Sequence, residues 1–230
     1  MAALSAEDQA VVAALRRDGA AVLRNLLTPE ELTVARRDQE ATNRDAFENP
    51  EAVPFRGRVG VDPGQPATNT GLNGYHMGLR PGLARCYGHP RLVAVARAAL
   101  QQEPYLHMTG ISRYTAGFAG LPAHFDVPAL EFIQPWTRVA MHVFLDDIGE
   151  DSGAFEFLPT SHRLHFADDE GQPDQHIAGK GSTAPAKGAE VAAHAAGAFS
   201  TVTLSAGSVL LRHSAVWHAV RPVHRLRRCT

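Results

Sequence analysis

Up to Gln101 the apolar residues recur at helical spacing; after Pro104 they come in short runs divided by turn residues. That reversal limits the chain to helices packed on an all-β body. Ser5 and Asp8 form a capping-box pattern ahead of Val11, Val12 and Leu15, and Gly19 supplies the stop, so a helix is expected here. Ala20 to Leu23 reads as a brief strand. Thr28-Pro29-Glu30-Glu31 gives an N-cap, a proline at the first helical position and a glutamate at the third, opening a second helix that runs to about Phe47. Glu48 to Gly74 is rich in Pro, Gly and Asn and reads as a long loop, and a third helix follows from Pro90 to about Gln101. Strand character then appears at Tyr105–Tyr114, Arg138–Leu145, Ala154–Leu158, Phe199–Leu204 and Ser208–Val220. In the last of these, two apolar strands flank a turn near His213 and Ser214, as in a hairpin. The stretch from Asp168 to Ala198 is dominated by Ala, Gly, Asp and Lys with no apolar face and is expected to be mobile.

These patterns predict one domain over 1–230, with helices of 5–101 packed on a β-barrel or sandwich of 104–228. Segments 48–74 and 168–198 are its expected lid loops. A chain of 230 residues with a formal charge of -2 spread over both signs has no basic stripe, which argues against nucleic acid and against electrostatic membrane docking. No apolar run approaches the roughly 18 residues of a spanning helix. Cys86 and Cys229 show no paired spacing, and acidic residues stand where a signal peptide needs basic ones, so the expectation is cytoplasmic. Small-molecule chemistry by a monomer or homodimer is the default.

His124-Phe125-Asp126 carries the chemistry. Successive side chains of a strand alternate, so His124 and Asp126 project from one face and can bind one metal, with Phe125 turned into packing. Gly117, Gly120 and Pro122 put the pair at a strand entrance. Two imidazoles and one carboxylate form the facial triad of non-haem Fe(II) oxygenases. The third ligand is His218, at the end of an apolar run, or its rival His213; the ordinary alternatives are a polar pair at a barrel rim and a core histidine. An anionic co-substrate calls for a guanidinium fork. Arg221, Arg225, Arg227 and Arg228 all follow His218, with a solvated basic tail as the bland reading.

Taken together, four ordered segments resemble the phytanoyl-CoA dioxygenase-like family of Fe(II)- and 2-oxoglutarate-dependent oxygenases, from about residue 8 to 228. They are Arg16 to Glu31; Ser112 to Phe118 leading to His124-Phe125-Asp126; Val139 to Asp147 with Gly153 to Arg163; and Ala206 to Leu211 before His218. The resemblance implies a mainly β fold with flanking α-helices, a double-stranded β-helix of jelly-roll, cupin-like type. It implies Fe(II) on His124, Asp126 and His218, with 2-oxoglutarate as co-substrate and O2, and makes His213 a packing residue. It favours Arg228 over Arg227 for the distal carboxylate of 2-oxoglutarate, and places Arg113 and Thr109 near the co-substrate.

Two positions depart from the family pattern: Val220 stands where a hydroxyl side chain is usual, and Thr160 where a glycine is. The barrel is expected to be shortened after Thr230. Halogenating relatives replace the carboxylate of the triad, so Asp126 points to hydroxylation of an unactivated C–H bond of a metabolite, or to desaturation, epimerisation or cyclisation. A Zn or Mn cupin-like isomerase or hydrolase and a non-catalytic binding barrel are the competing classes.

Overall fold

The computed structural model describes residues 4–48, 67–72, 78–107, 109–126, 136, 138–163, 184–185, 196–224 and 227–229. Apart from 48, 67–72, 184–185 and 196–198, the two expected lid loops lie outside the described residues.

Helix α1 (Ala6–Asp18) starts where Ser5 caps it, its hydroxyl accepting from the Asp8 amide at 3.1 Å, and ends at Gly19 in the left-handed region, φ 87°. The second half of that capping box is diverted: the Asp8 carboxylate instead accepts from Arg91 Nε at 2.8 Å, tying α1 to helix α4 (Pro90–Leu100). Helix α2 (Pro29–Glu48) opens on a complete box, in which the Thr28 amide donates to Glu31 at 2.9 Å and the Glu31 amide donates to the Thr28 hydroxyl at 3.2 Å. Thr28→Ala is expected to cost about 1 kcal/mol, read as a lower urea midpoint at unchanged slope.

Among the elements that fall where sequence patterns showed none are a strand and a short helix. Strand β2 (Ala67–Leu72) occupies part of the expected loop 48–74 and pairs antiparallel along its length with β3 (Thr109–Tyr114). A short helix, α3 (Pro81–Tyr87), precedes α4. The expected strand Tyr105–Tyr114 starts only at Thr109, with Tyr105 exposed before it.

The remaining strands are β1 (Ala20–Leu23), β4 (Leu121–Phe125), β5 (Val139–Val143), β6 (Phe155–Phe157), β7 (Ala184–Pro185), β8 (Ser200–Val202), β9 (Val209–His213), β10 (His218–Val220) and β11 (Arg227–Cys229). They form sheets ordered β1-β9-β5, β7-β4-β10-β6-β8 and β11-β3-β2, every pairing antiparallel. The hairpin expected in 208–220 does not form. The turn at His213–Ser214 is present, but β9 pairs with β1 and β5 while β10 pairs with β4 and β6, so the chain crosses from one sheet to the other. Such crossing is how a jelly roll closes two sheets around one interior.

Alternation along β1, β9 and β5 decides what fills that interior. Leu23, Val209, Leu211, Val139, Met141 and Val143 face outward, and pack with Val11 and Leu15 of α1 and Leu92, Val95 and Ala99 of α4. The opposite face carries Ala20, Val22 and Leu210, which join Phe144, Phe155, Phe157 and Val216 in the barrel. Behind the five-stranded sheet, Phe125 meets Trp217 edge-on at 4.6 Å among Ala123, Phe199 and Ala219. Phe125 is therefore turned away from its two neighbours, His124 and Asp126, into packing. Among the described residues, no helix is long and apolar enough to cross a membrane.

Candidate metal centre

Strands β4 and β10 bring the histidines together. His218 lies directly across from His124 in register, the rings 4.2 Å apart, and Asp126 follows the end of β4 with its amide held by the Ser214 carbonyl at 3.0 Å. From His218 to Val220 the chain on β10 spans the interval that Leu121 to His124 takes on β4, so β4 carries an extra residue there. This bulge falls at Pro122, which has no amide to lose from the ladder.

Among the described residues, His124, Asp126 and His218 are the one group of His, Cys, Asp or Glu side chains whose ligand atoms all lie within 4.8 Å of one another. His124 Nε2 is 3.6 Å from Asp126 Oδ1 and His218 Nε2 is 3.8 Å from Oδ2. Ligands about 2.1 Å from one ion at right angles stand about 3 Å apart, so each histidine would need to close on the carboxylate by under about 1 Å. The tautomers suit a metal as well. His124 Nδ1 donates to the Pro122 carbonyl at 2.7 Å and His218 Nδ1 to the Val216 carbonyl at 3.0 Å, since a carbonyl can only accept. Both Nε2 lone pairs are thereby left facing Asp126. Phe155 stacks on His218 at 5.3 Å and fixes that ring.

The electrostatics favour the ligand-ready states. Burial alone would raise the Asp126 carboxyl, but Arg212, then His218 and His124, pull it down to about 2, so it is ionised at neutral pH. Burial, then the neighbouring Arg212, holds His218 well below the ordinary imidazole range of 6.5. Burial likewise lowers His162, which lies outside the cluster. A base whose folded pKa is depressed takes up its proton more readily when unfolded, so stability falls as pH drops below about 6.5. The metal-free protein is expected to lose melting temperature between pH 7.5 and 5.5, and His162→Gln to flatten that slope in a thermal scan.

The other residues singled out in the sequence are placed elsewhere. His213 does not join the cluster: it lies on the outer face of β9, its Nδ1 accepting from the Ala215 amide at 3.1 Å and its ring 4.7 Å from Trp136 and 5.3 Å from His162. Thr109 and Arg113 share strand parity with Ile111, which packs on Leu83 and Tyr87, whereas Tyr114 belongs to the inner layer. Strand alternation thus puts Thr109 and Arg113 on the helix-facing side of β3, the face opposite to Tyr114. In β11, register sets Arg227 across from Tyr114 and Arg228 across from Arg113.

One residue of the site was not anticipated. Arg212, on the inner face of β9, donates from Nη2 to Asp126 and from Nε to His142 Nε2 at 3.2 Å. Its signal in the sequence was a charged residue directly continuing an aliphatic run, Val209-Leu210-Leu211-Arg212.

Comparison with known proteins places this geometry in context. The family model described as phytanoyl-CoA dioxygenase matches residues 15–225. An ectoine dioxygenase of Bordetella bronchiseptica is 31% identical over 166 residues, covering 70% of this chain and 50% of that protein. The chain therefore spans about half the length of the curated relatives it matches. Among solved structures, the epimerase SnoN with Fe3+, α-ketoglutarate and nogalamycin RO superposes with a TM-score of 0.66 at 20% identity, over 97% of this chain and 81% of that one. HygX from Streptomyces hygroscopicus, with nickel and 2-oxoglutarate, gives 0.66 at 20% identity over 99% and 84%. EctD from S. alaskensis with 2-oxoglutarate and 5-hydroxyectoine gives 0.63 at 22% identity over 98% and 74%. The inward-facing histidines, the crossing of β9 and β10 between sheets and the match over most of the length agree: this chain belongs to the phytanoyl-CoA dioxygenase family of Fe(II)- and 2-oxoglutarate-dependent oxygenases, with a jelly-roll fold.

Proposed function

We propose that His124, Asp126 and His218 hold Fe(II), and that the protein uses 2-oxoglutarate and O2 to hydroxylate an unactivated C–H bond of a small-molecule metabolite. The observation that carries this reading is the pair of facing imidazoles with both Nδ1 protons locked onto backbone carbonyls and one ionised carboxylate between them. When bound, iron and 2-oxoglutarate supply the oxidising chemistry, with succinate and CO2 released. The protein supplies orientation and shelter: Pro122 and Val216 aim the imidazoles, Phe155 fixes one ring, and Phe144, Phe157 and Leu210 exclude water. An arginine of β11, Arg228 or Arg227, is the candidate for the distal carboxylate of 2-oxoglutarate.

The test is anaerobic addition of Fe(II) and 2-oxoglutarate to the folded protein, with succinate measured after O2 is admitted. A visible charge-transfer band and succinate release are expected. Folded protein showing neither would sink the reading. Arg227→Ala and Arg228→Ala, titrated with 2-oxoglutarate against the same band, assign the carboxylate: the variant that weakens binding names the residue.

A further inference from the structure

Every neighbour of Arg212 on the inner wall of the first sheet is apolar or small, except His142. Ala20 and Ala140 lie directly opposite it on the two flanking strands, and Val22 and Leu210 follow in the next layer. The residue is only 5% exposed. A guanidinium brought into such an interior loses its hydration and requires counter-charge and hydrogen-bond acceptors for all its edges. Two edges are provided for, Nη2 by Asp126 and Nε by His142. The third, Nη1, is buried and has no hydrogen-bond partner among the described residues. The one anion on Arg212 is moreover a member of the cluster assigned above to a metal ion. A dication on Asp126 draws the carboxylate's charge toward itself and leaves the guanidinium short of a counter-ion.

We propose that Arg212 seats a carboxylate group of the small-molecule substrate beside the metal, through Nη1, with His142 holding the guanidinium in place. This deepens the functional reading above and rests on it. His142 accepts from Arg212, so its Nε2 carries no proton and it adds no second cation. The uncompensated charge is therefore that of one cation, which one anionic group matches. A carboxylate oxygen is a charge-matched acceptor for the buried, unpartnered Nη1 of a guanidinium already engaged through Nη2 and Nε. The same chemistry could come from a carboxylate of 2-oxoglutarate, and the experiment separates the two sources.

The protein loaded with Fe(II) and 2-oxoglutarate without O2 is titrated with matched pairs of small molecules, each a carboxylic acid and its primary amide on one carbon skeleton: amino acids, hydroxy acids and aromatic acids. Binding is read from perturbation of the charge-transfer band and from ligand-observed NMR. At least one acid is expected to bind about tenfold more tightly than its amide. Arg212→Met is expected to abolish that preference with 2-oxoglutarate affinity within about threefold of wild type, and Arg212→Lys, which keeps the charge without the fork, to keep part of it. The proposal is overturned if no acid is distinguished from its amide, or if the preference survives in Arg212→Met. It is equally overturned if Arg212→Met instead weakens 2-oxoglutarate about tenfold, which makes the co-substrate the occupant, or loses the metal, which makes Arg212 only a positioning residue for Asp126. If wild type shows no band, the functional reading has failed. The NMR arm with Zn(II)-loaded protein still decides whether Arg212 selects acids.

Discussion

Asp126→Ala is expected to lower 2-oxoglutarate-dependent succinate formation by more than about 100-fold, since loss of a partner that merely supports a metal ligand already costs 10- to 100-fold. The same substitution carries a second cost that has nothing to do with turnover. Arg212 is buried and donates to Asp126, so removing the carboxylate strands a cation inside the barrel. Breaking a buried pair by deleting one member costs about 3–5 kcal/mol, which for a domain of this size is a fall on the order of 10 °C in melting temperature. Combining Asp126→Ala with Arg212→Met is expected to recover most of that stability and none of the turnover. Calorimetry and succinate measurement on the three variants check both halves. Near-wild-type turnover in Asp126→Ala would refute the metal assignment, and an additive double mutant would refute the coupling.

The second large effect is Gly120→Ala. Gly120 has φ +87°, and a Cβ built there would lie 2.4 Å from the Val220 carbonyl oxygen, with Arg221 and Pro222 backbone atoms at 3.1 Å. The left-handed backbone alone costs about 1–2 kcal/mol. The contact is with backbone at the end of β10, so the strand that carries His218 must move away from the one that carries His124. Together these are expected to exceed about 3 kcal/mol and to weaken metal binding. Gly197→Ala is the control, because Gly197 has φ +73° with nothing within 4 Å of the built Cβ, so only the conformational term applies. Melting temperature and Mn(II) affinity of the two variants separate strain from displacement. Equal effects would show that the approach to Val220 does not matter.

What the chain announces about itself depends on how local the cause is. Helices α1, α2 and α4 are legible because their caps and apolar stripes lie within one or two turns of each other: Ser5, Thr28 and Gly19 are signals read in place. Strand β2 was not legible. Ala67–Leu72 has a single large aliphatic residue, and its pairing is with β3 some forty residues away. The hairpin expected in 208–220 failed for the same reason. Two apolar runs joined by a short turn favour local pairing, and only the placement of β1, β5, β4 and β6 sends the strands to different sheets. The spacing of His124 and Asp126 was readable from strand alternation. Arg212 was not, because Val209, Leu210 and Leu211 are all apolar and conceal which of them faces inward. A charged residue in such a run can be assigned a side only when the flanking strands are known.

The crossing between β9 and β10 also bears on how a chain like this can change over time. Ser214 to Trp217 connect the strand holding Arg212 to the strand holding His218, and all four are buried. They are pinned from three directions: the Ser214 carbonyl by the Asp126 amide, the Trp217 amide by the Ser161 hydroxyl at 2.9 Å, and the Trp217 carbonyl by the Leu158 amide at 2.9 Å. A single inserted or deleted residue here would reverse the facing of every side chain in the short strand that follows. A change of length in this connector is thus expected to cost the metal site, so broadening what the barrel accepts calls for substitution at fixed length or for changes in segments that enter the barrel elsewhere.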